Sequence, residues 1–305
     1  MRKRRPKGIL DRMRLWKAVF LLGVSFLFYL LVLSPHGDTV KEYSTRVIET
    51  LKEKVGQRGV SLPAKNAPQR TQSNSTTLGL SADLYPDSPH IGKLLKNIGY
   101  ISCFSEKYGI PIWVAYITKY PFAYDTAKRP SEFITDYRVN SPEHSDYTRS
   151  GYDRGHMAPN YAIGRTYGPE AQRETFYMTN IIPQRPNVNR DQWRDLEQFI
   201  ANDLAARYGT VLVFTGPLIS EDMPKLKNRV SVPSAMWMVI TVRRSSGEYI
   251  TAGFIIPQQA KNKDFRTYLV PVDKVEELTG LNFFPKLPDN QQHILEAPRN
   301  VRLLN

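Results

Sequence analysis

Gly151-Tyr-Asp-Arg-Gly-His156-Met-Ala158 opens a run that continues through Thr175-Phe-Tyr-Met-Thr-Asn180-Ile-Ile-Pro-Gln184 to Asn189-Arg-Asp-Gln-Trp193-Arg-Asp-Leu196-Glu197. Asp153, Arg154 and His156 place a carboxylate, a guanidinium and an imidazole within four residues. All three can handle a phosphate diester, and Gly155 between them lets the backbone approach a ligand closely. So short a motif also arises by chance, as a surface Asp-Arg pair beside an unrelated His. The segments downstream argue against chance. Residues 175–184 read as a strand that ends in a polar turn, and Trp193, Leu196, Ile200 and Leu204 recur at helical spacing. Asn189 lies four residues before Trp193 and seven before Leu196, so it shares the stripe that faces the core. An inward Asn at a helix start is either a cap or a ligand. Glu197 follows about 80° round the helix and about 12 Å along it, too far to bind the same ion directly. If both serve one metal, Glu197 acts through coordinated water.

Outward from this run, apolar and aromatic stretches predict strands at Gly99–Ser105, Ile112–Thr118, Phe176–Ile182, Val211–Thr215, Met236–Val242 and Tyr249–Ile256. A second helix is expected over 272–279. Strands separated by loops and a few helices predict an α+β domain over 78–305, with a mixed, largely antiparallel sheet flanked by helices.

The residues quoted above resemble the sugar-non-specific DNA/RNA endonucleases, the family with a ββα-metal (His-Me finger) active site that includes mitochondrial endonuclease G. Further blocks follow in family order: Trp113-Val-Ala-Tyr116, Val213-Phe-Thr-Gly-Pro217, Val232-Pro233 and Thr279-Gly-Leu-Asn-Phe-Phe-Pro285. The likeness covers roughly residues 95–288. It implies His156 as general base, Arg154 as a phosphate and transition-state contact, and Asn189 as the direct protein ligand to Mg²⁺, with Mn²⁺ as a substitute. Glu197 would position metal-bound water, Asn180 would shape the site, and Asp153 would orient its neighbours. DNA and RNA are the implied substrates, and a homodimer is a common state of the family.

The chain departs from the pattern in places. Ile117-Thr118 stand where many members carry an Arg, leaving Lys119 or Arg138 to supply that phosphate contact. Met238 replaces a usual Lys, and Pro257-Gln258 replaces a Pro-Asn pair. Two other readings stay open: a nucleic-acid-binding module without activity, and a phosphodiesterase for a substrate other than nucleic acid. Retention of His156, Asn189 and Glu197 argues against the first, because binding alone needs neither base nor metal ligand.

The net charge of +13 carries less weight than its size suggests. Residues 1–17 hold eight Lys/Arg against one Asp, and 18–78 hold seven basic residues against four acidic, so 79–305 is nearly balanced. The cationic start runs into an apolar stretch, Ala18–Leu33, without a small-residue cleavage site after it. This predicts a cytoplasmic basic segment at 1–17 and an uncleaved signal anchor, a transmembrane helix, at 18–33. Residues 34–77 then form a stalk and a flexible linker whose polar composition cannot bury enough surface to order itself. The domain is then expected on the exported side, in a bacterial periplasm or outside the cell; the mitochondrial inner membrane, facing the intermembrane space, is the alternative. Cys103 is the single cysteine and sits in an apolar run, so a buried structural thiol is expected. The five histidines show no metal-ligand spacing, which excludes a Cys/His zinc site.

Overall fold

The computed structural model describes residues 81–297 and 300–304. The predicted basic segment, anchor and linker lie outside the described residues. Among the described residues no helix is long and apolar enough to cross a membrane.

The body is a seven-stranded sheet. In chain order the strands of the domain are β1 (Lys93–Lys96), β2 (Tyr100–Ser105), β3 (Ile110–Lys119), β4 (Asp153–His156), β5 (Ile181–Gln184), β6 (Thr210–Pro217), β7 (Lys225–Leu226), β8 (Val230–Ser231), β9 (Ala235–Arg243), β10 (Tyr249–Pro257) and β11 (Leu269–Val270). The large sheet runs β1-β2-β3-β6-β9-β10-β11; β4 and β5 form a separate hairpin, as do β7 and β8. Every ladder is antiparallel. The expectation of a mixed sheet is corrected accordingly: the parallel contact among the isolated bridges is Ile134 with Tyr177.

The central strands are buried on both faces, as their near-continuous apolar sequences require. Val213, Phe214, Met238, Val239 and Ala252 are fully enclosed. The helices are α1 (Asn160–Tyr167), α2 (Pro169–Glu174), a long helical run over 186–208 (α3), α4 (Val272–Thr279) and α5 (Asp289–Glu296). Successive strand residues face opposite sides of a sheet. On β10, Gly253 meets Val275 of α4, while the Phe254 ring packs on Phe265, which in turn packs on Phe199 of α3. Thus α3 and α4 cover opposite faces. Trp193, Leu196, Ile200 and Leu204 are all buried, so the stripe seen in the sequence is the packing face of α3.

One strand was displaced from its expected place. Phe176–Ile182 does not form a continuous strand: Met178–Asn180 is a 3₁₀ turn and β5 begins at Ile181. The Asn180 side chain bonds the backbone of Ala158 and of Thr175, both earlier in the chain, and such side-chain capping competes with a ladder. Cys103 is buried as expected, with burial pushing its thiol up to about 11.

Candidate active site

The site is assembled from the β4–β5 hairpin and the start of α3. In β4 the pleat sorts the motif, since residues two apart share a face. Arg154 and His156 share one face, and both meet the Phe133 ring, at 5.9 and 5.3 Å from its centroid. Asp153 and Gly155 lie on the other. A Cβ on Gly155 would stand 2.2 Å from the buried Gln184 side chain, so only glycine lets β5 close against β4 here.

Asn180 holds the chain leaving β4. Its Oδ1 accepts from the Ala158 N–H at 2.8 Å, and its Nδ2 donates to the Ala158 and Thr175 carbonyls, each at 2.9 Å. Its own carbonyl accepts from the Met157 N–H. Fully buried and fully bonded, Asn180 fixes the backbone immediately after His156 and has no atom left over for a substrate.

Asp153 ties β4 to α3. Its carboxylate accepts two hydrogen bonds from Arg190, at 2.8 Å each, and one from Asn189 Nδ2 at 3.0 Å. The Asn189 amide is thereby oriented with its nitrogen committed and its Oδ1 uncommitted, as a metal ligand needs. The 80° offset expected between Asn189 and Glu197 assumed a regular α-helix. The structure instead has a π turn over Asn189–Trp193 before the α-helical Arg194–Gln198, and a second over Phe199–Leu204. Such widened turns recur at functional sites because they re-aim side chains.

His156 and Glu197 are the chemically unusual groups. The His156 ring packs edge-on against Phe176, and its Nε2 is buried without a hydrogen-bond partner. Burial, aided by the nearby Arg129 charge, drives its pKa down to about 3, so it is a neutral base throughout the physiological range. Glu197 keeps part of its surface open, but its Oε1 is buried and unpartnered. Burial raises its pKa to about 8, only partly offset by the Trp193 indole. The orphaned Oε1 and the uncommitted Asn189 Oδ1 are oxygen donors of the hard type that Mg²⁺ prefers.

Glu197 lines a cleft of about 470 Å³ together with Arg129, Asn160, Tyr161, Arg194 and Asn202. Arg129 lies over the Phe176 ring and, among the described residues, is in no ion pair. The sequence reading missed it because nothing around Lys128-Arg129-Pro130 marks it locally. Arg154 is anchored by the His144 carbonyl, at 2.7 Å, and by Thr148. Arg138 is not brought to the cleft wall: its guanidinium binds both Asp136 oxygens, the Asn97 side chain and the Lys96 carbonyl. Burial acts to raise the Asp136 carboxyl, but bonds from Arg138 and Thr179 outweigh it and hold it low. Lys119 is exposed at the end of β3. Gln258 takes up a supporting role, donating to the Pro183 carbonyl and accepting from the Arg185 N–H, so the departure from Pro-Asn keeps an amide clamp on β5.

A two-stranded sheet carrying His156 lies beside a helix carrying Asn189 and Glu197. Residues 85–290 match the model of the DNA/RNA non-specific endonucleases, and the chain belongs to that family. A Nostoc nuclease is 34% identical over 217 residues, covering 67% of this chain and 77% of its own. The mitochondrial nuclease of Saccharomyces cerevisiae is 30% identical over 232 residues, covering 67% and 69%. Human mitochondrial endonuclease G is 26% identical over 219 residues, covering 65% and 72%. Among solved structures, an EndoG/EndoGI complex matches with a TM-score of 0.60 at 27% identity, covering 70% of this chain and 92% of that one. The protein is therefore an endonuclease, and endonuclease G-like enzymes are generally dependent on a divalent metal.

The two shifted groups give metal-free stability opposite acid and alkaline limits. His156 is depressed from 6.5 to about 3, so the unfolded chain binds a proton that the folded one refuses, and stability falls as pH drops through this window. Glu197 is raised from 4.5 to about 8, so stability falls as pH climbs between those values. Scanning calorimetry in EDTA should show both limbs for the wild type. Glu296, raised to the same value, shares the alkaline limb, so Glu197→Gln should lessen its slope and leave the acid limb; an unchanged alkaline limb would contradict the assignment.

Proposed function

We propose that the protein hydrolyses phosphodiester bonds of DNA and RNA without sequence preference, using His156 as general base and Mg²⁺, or Mn²⁺ in its place, held by Asn189. The observation that carries this reading is the neutral, unpartnered Nε2 of His156, set on a rigid hairpin near a cationic cleft.

A phosphodiester resists attack because it is anionic, so hydrolysis needs an activated water and positive charge near the phosphoryl oxygens. His156 Nε2 takes the proton from that water, a contribution of about 10²–10⁴-fold for a positioned base. Arg154 and Arg129 bind phosphate oxygens, and Asn180 keeps the His156 backbone in register with them. Asn189 Oδ1 would hold the ion, Asp153 holds that amide in orientation, and Glu197 would orient water beside it. When bound, the metal supplies charge that stabilises the phosphoryl and leaving oxygens. A neutral Asn leaves most of that charge available to the substrate. Recognition through Arg and metal reads phosphates rather than bases, which accounts for the lack of sequence preference. Single and double strands of DNA and RNA are accordingly the substrates.

His156→Ala should lower cleavage by about 10²-fold or more while binding to the substrate is retained. Asn189→Ala should instead shift the Mg²⁺ activation curve to higher concentration, with Glu197→Ala shifting it less. Initial rates on supercoiled plasmid across a Mg²⁺ series check both; activity of His156→Ala within tenfold of wild type contradicts the role of the base.

We also propose that residues 18–33 anchor the enzyme with its basic amino terminus in the cytoplasm and its catalytic domain exported. Eight cations before Ala18 are costly to translocate, while the apolar run favours hydrocarbon. A bacterial envelope suits this orientation, with the mitochondrial intermembrane space as the alternative. Full-length protein should resist carbonate extraction, and protease on the outer face should release an active fragment beginning near residues 60–78. A mature amino terminus between His36 and Val40 contradicts the anchor.

A further inference from the structure

Away from the cleft, three carboxylates converge where the last described α-helix meets the one before it. Asp273 and Glu276 stand three residues apart on α4 and so share a face. Glu296 is the last residue of α5. One oxygen from each lies within 4.8 Å of the others. Glu296 is only 3% exposed, and its Oε1 is buried with no hydrogen-bond partner. Among the described residues none of the three is in an ion pair, and Lys274, their neighbour in sequence, is bound to Glu277 at 2.7 Å. Glu276 accepts from the Phe283 N–H through Oε1 at 2.6 Å, which leaves its Oε2 for another partner. Bringing like charges together with one of them buried is unfavourable unless a proton or a cation joins them.

We propose that Asp273, Glu276 and Glu296 form a second cation site, of the Ca²⁺ class, separate from the nuclease centre. The chemistry selects the ion. Three carboxylate oxygens offer neither nitrogen nor sulfur, which favours a hard cation over zinc or copper. Calcium accepts carboxylate oxygens in flexible geometry and completes its shell with water, which suits a cluster of three carboxylates at the meeting of two helices. The partial exposure of Asp273 and Glu276 leaves room for water to complete the shell. Burial and the two neighbouring carboxylates push the Glu296 pKa up to about 8.

The consequence is mechanical. Glu296 ends α5, whose Leu295 carbonyl accepts from Thr251 in β10, and Val275 of α4 packs on Gly253 of the same strand. An ion shared by the two helices would therefore fasten the end of the domain to the sheet, without any part in the chemistry.

The test uses Ca²⁺ as the probe and must separate this site from the catalytic one. Full-length wild type and Asn189→Ala, both freed of metal, are followed by calorimetry and by equilibrium dialysis with Ca²⁺. Both should take up one Ca²⁺ that survives loss of Asn189, and their Tm should rise by about 5 °C or more at a hundred times the dissociation constant. Asp273→Asn and Glu296→Gln should each lose that uptake, with activity in Mg²⁺ retained. Metal-free Glu296→Gln should also melt at or above metal-free wild type, because the repulsion is gone. Should Glu296→Gln fail to fold, the part-exposed Asp273→Asn decides the matter. Absence of Ca²⁺ uptake in Asn189→Ala, or undiminished uptake in Asp273→Asn, overturns the proposal and leaves a proton shared among the carboxyls. Neither result touches the reading of His156.

Discussion

Asp153 accepts three hydrogen bonds from the start of α3, two from Arg190 and one from Asn189, and so joins the strand that carries His156, the proposed base, to the helix that carries Asn189, the proposed metal ligand. A phosphodiester hydrolase needs both groups held to a fraction of an ångström, because misplacement by about 1 Å can cost about 10²-fold in rate. Each half is independently stiffened. The strand is locked by Asn180 behind His156 and by Gln184 against Gly155, and the helix by Trp193 and Leu196 in the core. Asp153 then sets the relation between two rigid bodies. Arg154 and His156 share the other face of the strand, and in the proposed mechanism Asp153 acts only through Asn189.

Electrostatics follow the same economy of means. The folded domain is nearly charge-balanced, so its attraction for a polyanion arises from placement rather than sum. Arg129 and Arg194 sit on the cleft wall, and Arg154 is held on the hairpin by a backbone carbonyl instead of a carboxylate. A guanidinium bound to a carbonyl keeps its full charge for a ligand, whereas Arg138, bound to both oxygens of Asp136, does not. Burial then divides the titratable pair: it makes His156 a neutral acceptor and pushes the Glu197 carboxyl up.

Much of this was legible from the chain, and the misses have physical causes. The long strands of the large sheet are runs of branched and aromatic residues, and the α3 stripe of Trp193, Leu196, Ile200 and Leu204 is a helical period that packing then used. The residues 175–184 have the composition of a strand, yet Asn180 turns the chain by bonding the backbone of Ala158 and Thr175, which periodicity cannot register. β4 is only Asp-Arg-Gly-His, without an apolar alternation, and becomes a strand solely through β5. His156, Arg154, Asn189 and Glu197 stood out as candidates because each lies in one of the motif segments between 151 and 197. Arg129 was not, since only folding brings it over Phe176, and the π turns that aim Asn189 and Glu197 leave no mark in the sequence.

The central claim is that this site cuts nucleic acid only with a divalent cation present. Supercoiled plasmid incubated with the protein tests it directly, in Mg²⁺, in EDTA, and in EDTA followed by excess Mg²⁺. The account predicts relaxed and linear products in the first and third conditions and intact supercoil in the second. Equal cutting in EDTA would contradict it.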